Sequence, residues 1–132
     1  MTDASQVPAT PTPTIAGASS AVYAAAHAYE TALVDGDTEG AASWFAPHDP
    51  VSRFGPEGAQ LDRESIESLR ASTQPQPAPA WIHDEVRVVA PGVAVHLAVI
   101  DRGGVTIHRT QLWVETSAGW RIGHAHVSKV PS

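Results

Sequence analysis

The residues able to do chemistry crowd into the stretch 108–129, which carries His108, Arg109, Gln111, His124, His126 and Ser128. Two strand-like runs flank a short turn at 116–119, a hairpin signal. Alternate side chains of a strand share a face. Trp120, Ile122, His124, His126 and Ser128 are therefore expected on one face, with Arg121, Gly123, Ala125 and Val127 on the other. In the preceding run Arg109, Gln111, Trp113 and Glu115 share a face, opposite His108, Thr110, Leu112 and Val114. A strand serving only a core alternates more cleanly between apolar and polar residues. Polar groups leading out from Trp120 and Ile122 form the pattern of a pocket wall.

Histidine exchanges protons near neutral pH, so His126 can serve as a general base or as a hydrogen-bond donor to a substrate. His124 and His126 also form a His-x-His on one strand face, a spacing that can chelate zinc with His108 or His96 as third ligand. No carboxylate lies nearby in sequence to orient them, and the expectation is no metal and no cofactor. Ser128 shares the face of His126, but same-strand spacing does not favour a nucleophile and base in hydrogen-bond reach. It reads as a polar positioning group.

Two further residues stand out. Arg53 follows Val51 and precedes Phe54 in a short strand-like run. A buried guanidinium needs an anion or carbonyl partner. That partner is either a ligand gripped by the two-pronged donor set or a structural acid, with Glu30, Asp49 and Glu57 as the choices. Tyr29 lies on a helical apolar stripe made with Val22, Ala25, Ala26 and Leu33, which carries its hydroxyl towards whatever the helix covers.

The elements that must position these residues follow in order. Ser19 or Ser20 can cap a helix starting near Ala21, which ends at Asp35, Gly36 and Asp37. A short helix over 39–45 follows, capped by Asp37 or Thr38, then a short strand over 51–54 and a turn at 55–58. A third helix runs over 61–70 with Asp62 as cap and Leu61, Ile66 and Leu69 facing inward. After a proline-containing loop at 72–80 come four long strands, over 81–90, 93–100, 105–115 and 120–130. Helices in front and a meander behind make an α+β pattern. The expected fold is a cone-shaped, curved antiparallel sheet covered by the N-terminal helices.

At 132 residues and 42% apolar content, the chain suffices for one domain with a single core. Residues 1–18, rich in Ala, Pro and Thr, are expected to be a disordered tail, and 19–132 the domain. There is no cysteine, which excludes disulfides and thiolate metal sites. The net charge of −6 argues against nucleic acid or an anionic membrane as partner. No run approaches the roughly 18 apolar residues of a membrane span, and the first residues lack the basic start and apolar run of a secretory signal. A cytoplasmic protein acting on a small molecule is expected.

The order of elements resembles the nuclear-transport-factor-2-like (SnoaL-like) superfamily, and Gly119-Trp120-Arg121-Ile122 followed by His126-Val127-Ser128 strengthens the likeness. Three local matches resemble its AtzH-like branch. They are Tyr29-Glu30 with Ala32-Leu33 and Asp37, then Val51-Ser52-Arg53-Phe54-Gly55, and then Gln111-Leu112-Trp113-Val114 with Ala125-His126-Val127-Ser128. The resemblance implies a small hydrolase of ureas or ureido acids, with Tyr29, Arg53, Gln111, His126 and Ser128 lining its pocket. Two cationic positions of the family depart here, at His108 and Thr73.

The expected activity is cofactor-free hydrolysis of a C–N bond in a small carboxylated urea or amide. Tyr29, Arg53 and His126 would be catalytic, and Gln111, Arg109, His108, His124 and Ser128 would contact substrate. The alternatives are an isomerase, dehydratase or cyclase using an acidic base such as Asp37 or Asp49, or a non-catalytic binding module. A homodimer is expected.

Overall fold

The computed structural model describes residues 15–131. Its elements are α1 (Ile15–Asp35), α2 (Thr38–Ser43), β1 (Ser52–Gly55), β2 (Gly58–Gln60), α3 (Arg63–Ala71), β3 (Pro79–Ala90), β4 (Val93–Arg102), β5 (Val105–Thr116) and β6 (Gly119–Lys129). The six strands form one curved, unclosed sheet in the order β2-β1-β6-β5-β4-β3. Helices in front of such a sheet make the expected α+β cone.

Several details differ from expectation, one being β2, which pairs antiparallel with β1 where only a turn was expected. The sheet is mixed, because β1 runs parallel to β6 with Arg53 opposite Ala125. β2, α3 and the strands β3, β4 and β5 separate β1 from β6 in sequence, so no hairpin forces the antiparallel sense. The first helix also begins at Ile15, earlier than Ala21, since alanine favours helix throughout 16–26. The expected tail over 1–18 is thus helical from 15 onward, and residues 1–14 of it lie outside the described residues.

Local signals account for the helices. Gly36 closes α1 at φ 72, a conformation glycine adopts without strain. Asp37 caps α2 by accepting from Gly40 N, and Asp62 caps α3 by accepting from Ser65 N at 2.8 Å. Leu61 precedes that cap and is exposed; Arg70, one turn after buried Ile66, takes an inward position on α3 instead.

The α1 stripe of Val22, Ala25, Ala26, Tyr29 and Leu33 packs against Phe45, Val51, Ile66, Trp113, Ile122 and Ala125. A smaller cluster of Ala98, Ile100 and Ile107 lies towards the other end of the sheet. Among them Trp113 and Ile122 are fully buried, and each side chain of that size contributes about 1.5–3 kcal/mol by leaving water.

A β-bulge decides which side chains reach the interior. Along β6, Ile122 pairs with Trp113 but His124 pairs with Leu112, so Gly123 is the extra residue. A bulge shifts the alternation by one. Ile122 faces in; beyond Gly123, Ala125 is buried and Val127 faces the interior, while His126 and Ser128 are exposed on the outer face with half-buried His124. The single expected face from Trp120 to Ser128 is therefore split in two. On β5 no shift intervenes, and Ile107, Arg109, Gln111 and Trp113 face in while His108 faces out.

Candidate functional site: a cationic pocket around Tyr29

A cavity of about 220 Å³ opens between α1, α3, β1 and the inner face of β4, β5 and β6. That is below the roughly 300–1,000 Å³ of pockets for drug-sized ligands, so a small, compact ligand fits. Its wall carries Arg53, Arg70, Arg102, Arg109 and Lys129, together with Tyr29. Among the described residues only one carboxylate, Glu57, lines it.

Each element delivers its residue for a local reason. Tyr29 comes from the apolar stripe of α1. Arg70 comes from the face of α3 that buries Ile66, four residues earlier. Arg102 continues the inward alternation of Ala94, His96, Ala98 and Ile100 along β4. Arg53 points in because β1 pairs in register with inward Ala125.

The cations are unequally satisfied. Arg102 grips Glu30 with two bonds, Nη1 to Oε2 at 2.6 Å and Nη2 to Oε1 at 2.9 Å, and also donates to the Pro77 carbonyl. Arg109 Nη1 donates to the same Glu30 carboxylate at 2.9 Å. Burial alone would push the Glu30 pKa up, but hydrogen bonds and charge from Arg102 and Arg109 outweigh it and hold the carboxyl below its ordinary value. Arg53 Nη1 donates to Glu57 at 2.9 Å and to Gln60 Oε1 at 3.2 Å. Arg70 Nη2 donates to the Tyr29 hydroxyl oxygen at 2.5 Å.

Several donors remain. Arg53 Nε, Arg70 Nε, and Arg109 Nε and Nη2 are buried and have no hydrogen-bond partner among the described residues. Unpaired buried donors are rare and each costs about 1–3 kcal/mol. The Arg70 pKa is lowered, first by burial and then by the charges of Arg53 and Arg109. These guanidinium groups repel one another, and an anion placed among them relieves both the unpaired donors and the repulsion.

The expected site residues are distributed as follows. Tyr29, Arg53 and Arg109 line the pocket. Gln111 faces inward, but its Oε1 accepts from Trp113 Nε1 at 3.0 Å and it does not line the cavity. His126, Ser128 and His108 are exposed on the outer face of the sheet, the first two displaced there by the Gly123 bulge and His108 by regular alternation. His124 is also on that face, its Nδ1 2.8 Å from Ser52 Oγ and its ring against Phe54. Of the three acids expected beside Arg53, Glu57 makes the contact, whereas Glu30 pairs with Arg102 and Arg109; Arg70, Arg102 and Lys129 were not read as site residues. Helical spacing from Ile66 signalled Arg70, and strand alternation signalled Arg102.

A second polar group lies beside the pocket. Asp84 of β3 accepts from His27 Nε2 and His96 Nε2, each at 2.6 Å, and the His27 ring is stacked between Tyr23 and Trp81. This ties α1 to the sheet. Trp81 in turn lies against the Arg109 guanidinium, 5.9 Å from its ring centroid. Among the described residues no group of three or more His, Cys, Asp or Glu is arranged to hold a metal ion, and no helix is long and apolar enough to cross a membrane.

Solved structures share this architecture. A protein of unknown function from Pectobacterium atrosepticum is 26% identical at a TM-score of 0.79, over 86% of this chain and 91% of that one. A cystatin-like fold protein from Burkholderia xenovorans is 28% identical at a TM-score of 0.77, over 86% and 92%. An NTF2-like family protein from Streptomyces avermitilis shares the fold at 19% identity and a TM-score of 0.74, over 90% and 100%. No curated protein matches the sequence. The AtzH-like family model matches residues 14–132, and the chain belongs to the AtzH-like family, with the nuclear-transport-factor-2-like fold.

Proposed function

We propose that the protein is an enzyme that binds a small dianion, a carboxylated urea or amide, in the cationic pocket and hydrolyses one of its C–N bonds. The observation that carries this reading is the pocket wall itself, in which Tyr29 stands with Arg53, Arg70, Arg102, Arg109 and Lys129 against a single carboxylate among the described residues. Arg53 and Arg109 are placed to hold carboxylates with charge-assisted hydrogen bonds. The Tyr29 oxygen already accepts from Arg70, so its own hydrogen is free to donate to the ligand's carbonyl. As that oxygen gains charge, Tyr29 and the adjacent Arg70 stabilise it, and loss of one such donor costs about 10²–10³ in rate.

The test is incubation with small carboxylated ureas and amides, reading amine or ammonia release. Turnover that Tyr29→Phe lowers by about 10²-fold or more fits the reading. Binding of dicarboxylates with no release from any substrate would instead establish the non-catalytic binding module. That second reading is favoured by one observation: among the described residues no histidine lines the cavity. An isomerase or dehydratase is less well supported, because Asp37 and Asp49 are engaged as backbone acceptors, of Gly40 N and Arg63 N, away from the pocket.

We also propose a homodimer formed through the outer face of the sheet, where Phe54 is exposed and Val95, Leu97, Val99, Leu112 and Val114 are half-buried. Sedimentation at micromolar concentration should show a dimer; a single 13.9 kDa species would refute it.

A further inference from the structure

The hydrolysis proposed above needs a group to take a proton from water, and His126 is on the wrong face of the sheet to do it. Glu57 is the one carboxylate that lines the pocket among the described residues. We propose that Glu57 stands on Arg53 in the place of a ligand carboxylate, is displaced when the ligand enters, and then acts as the general base. The inference rests on the anion-pocket reading and assigns its missing catalytic residue.

Several observations support displacement. The bridge from Arg53 to Glu57 uses a single nitrogen, Nη1, which also donates to Gln60, so Arg53 keeps an internal partner when Glu57 leaves. The two partners are unequally anchored: the side chain of Arg53 is 4% exposed and that of Glu57 is 49% exposed. Glu57 can therefore swing towards water at little desolvation cost, whereas Arg53 cannot. The bridge passes directly over Gly55, where a Cβ would lie 2.5 Å from Arg53 Nη1 and 2.7 Å from Glu57 Oε1. Gly58, at φ 126, closes the same turn in a conformation other residues rarely adopt. The turn is thus built around a carboxylate held on Arg53, and Gly55 and Gly58 flank the residue that must move.

The electrostatics give the displacement a consequence. Burial raises the Glu57 pKa, but the hydrogen bond from Arg53 and the charges of Arg53 and Arg70 outweigh it and hold Glu57 below its ordinary value. Arg102 of β4, Arg109 of β5 and Lys129 of β6 share the same cavity. A ligand carboxylate on Arg53 removes that hydrogen bond and brings a like charge close. Both changes raise the Glu57 pKa, so the base strengthens when substrate is present. Water's oxygen then adds to the carbonyl carbon as one water proton passes to Glu57. Glu57 returns that proton to the leaving nitrogen as the C–N bond breaks, giving an acid and an amine.

The experiment is titration of the full chain and of Glu57→Gln with malonate, by calorimetry in two buffers of different ionisation enthalpy. At about pH 5, just above the reference glutamate value of about 4.3, malonate is itself partly protonated, so the readout is the difference between the two proteins: the native protein should take up more protons on binding malonate, or release fewer, than Glu57→Gln. Glu57→Gln should also bind malonate at least about threefold tighter, because the competing charge is gone. Its hydrolysis of a carboxylated urea should fall by about 10²–10⁴-fold. Native binding with equal affinity and equal proton uptake in Glu57→Gln would overturn the displacement while leaving the anion pocket intact. Undiminished hydrolysis by Glu57→Gln would overturn the base role. If the native protein binds no small dicarboxylate at all, the pocket reading itself falls and this inference with it.

Discussion

Arg70 of α3 and Tyr29 of α1, 41 residues apart, meet at 2.5 Å with the guanidinium donating to the phenol oxygen. Both are buried, and the Arg70 guanidinium also lies 5.6 Å from the Tyr29 ring centroid. The contact occupies the Tyr29 oxygen as an acceptor, leaves its hydrogen to be donated elsewhere, and makes Arg70 dependent on one neutral acceptor.

Tyr29→Phe keeps the ring against Phe45 and removes only the oxygen. Arg70 then loses its acceptor, an unpaired donor that costs about 1–3 kcal/mol when buried. Urea unfolding should show that loss, and turnover should fall more than stability predicts. A variant of unchanged stability would mean that Arg70 finds another partner in solution.

Glu30 joins two strands by holding Arg102 and Arg109 at once. Replacing it by Gln leaves two buried guanidinium groups without a counter-charge, for a loss of about 3–5 kcal/mol. The folded-state pKa of Glu30 lies below its ordinary 4.5. Its contribution is therefore full above 4.5 and is lost as pH falls through the lower folded value. Unfolding midpoints of the native protein should drop in that acid range, and Glu30→Gln should show a smaller drop. Parallel pH profiles for the two proteins would remove Glu30 from the acid response.

The layout of helices and strands was legible because caps, prolines and period-2 alternation all pointed the same way at Asp37, Asp62 and Gly36. The pocket was only half legible. Tyr29, Arg53 and Arg109 have local patterns that aim them inward, and they line the cavity. His124, His126 and Ser128 were misplaced by one residue, because the alternation was carried straight through Gly123, an isolated strand glycine of the kind that marks a bulge. Arg70 was passed over because a charged residue on an amphipathic helix reads as solvent-facing, although it follows Ile66 at one helical turn. Glu57 was one of three acids expected beside Arg53, but which of them makes the contact depends on a turn with glycines at 55 and 58, a tertiary fact no spacing reveals.

The Asp84 hub gives the protein a second pH response. Burial lowers the His96 pKa below its ordinary 6.5, and the nearby charge of Arg109 acts the same way, outweighing Asp84. The unfolded chain therefore takes up a proton that the folded state resists, so stability is full above 6.5 and declines as pH falls below it. Burial raises Asp84, but hydrogen bonds from His96, His27 and Tyr23 hold it below its ordinary 3.8, adding a further loss at lower pH. His96→Gln should flatten the first decline and, because His96 is one of the donors that lower Asp84, reduce the second. An NMR titration showing His96 protonated above 6.5 in the folded protein would reverse the predicted sign.

Arg53 separates a ligand clamp from a structural ion pair. Its Nη1 is held by Glu57 and Gln60, yet its buried Nε has no partner. A ligand carboxylate can use the free edge of the guanidinium together with the position Glu57 vacates. Lysine offers a point charge without that planar donor set, so Arg53→Lys should not restore what Arg53→Ala loses. Removing a buried, hydrogen-bonded charge contact weakens binding by about 2–5 kcal/mol, which malonate titration reads directly. The exposed half of the bridge contributes little to stability, because partly solvated ion pairs are worth about 0–1 kcal/mol. Both variants should therefore lose far more affinity than thermal stability. Unchanged malonate affinity with a lowered melting temperature would make Arg53 a structural residue and shift the anion grip to Arg109 and Lys129.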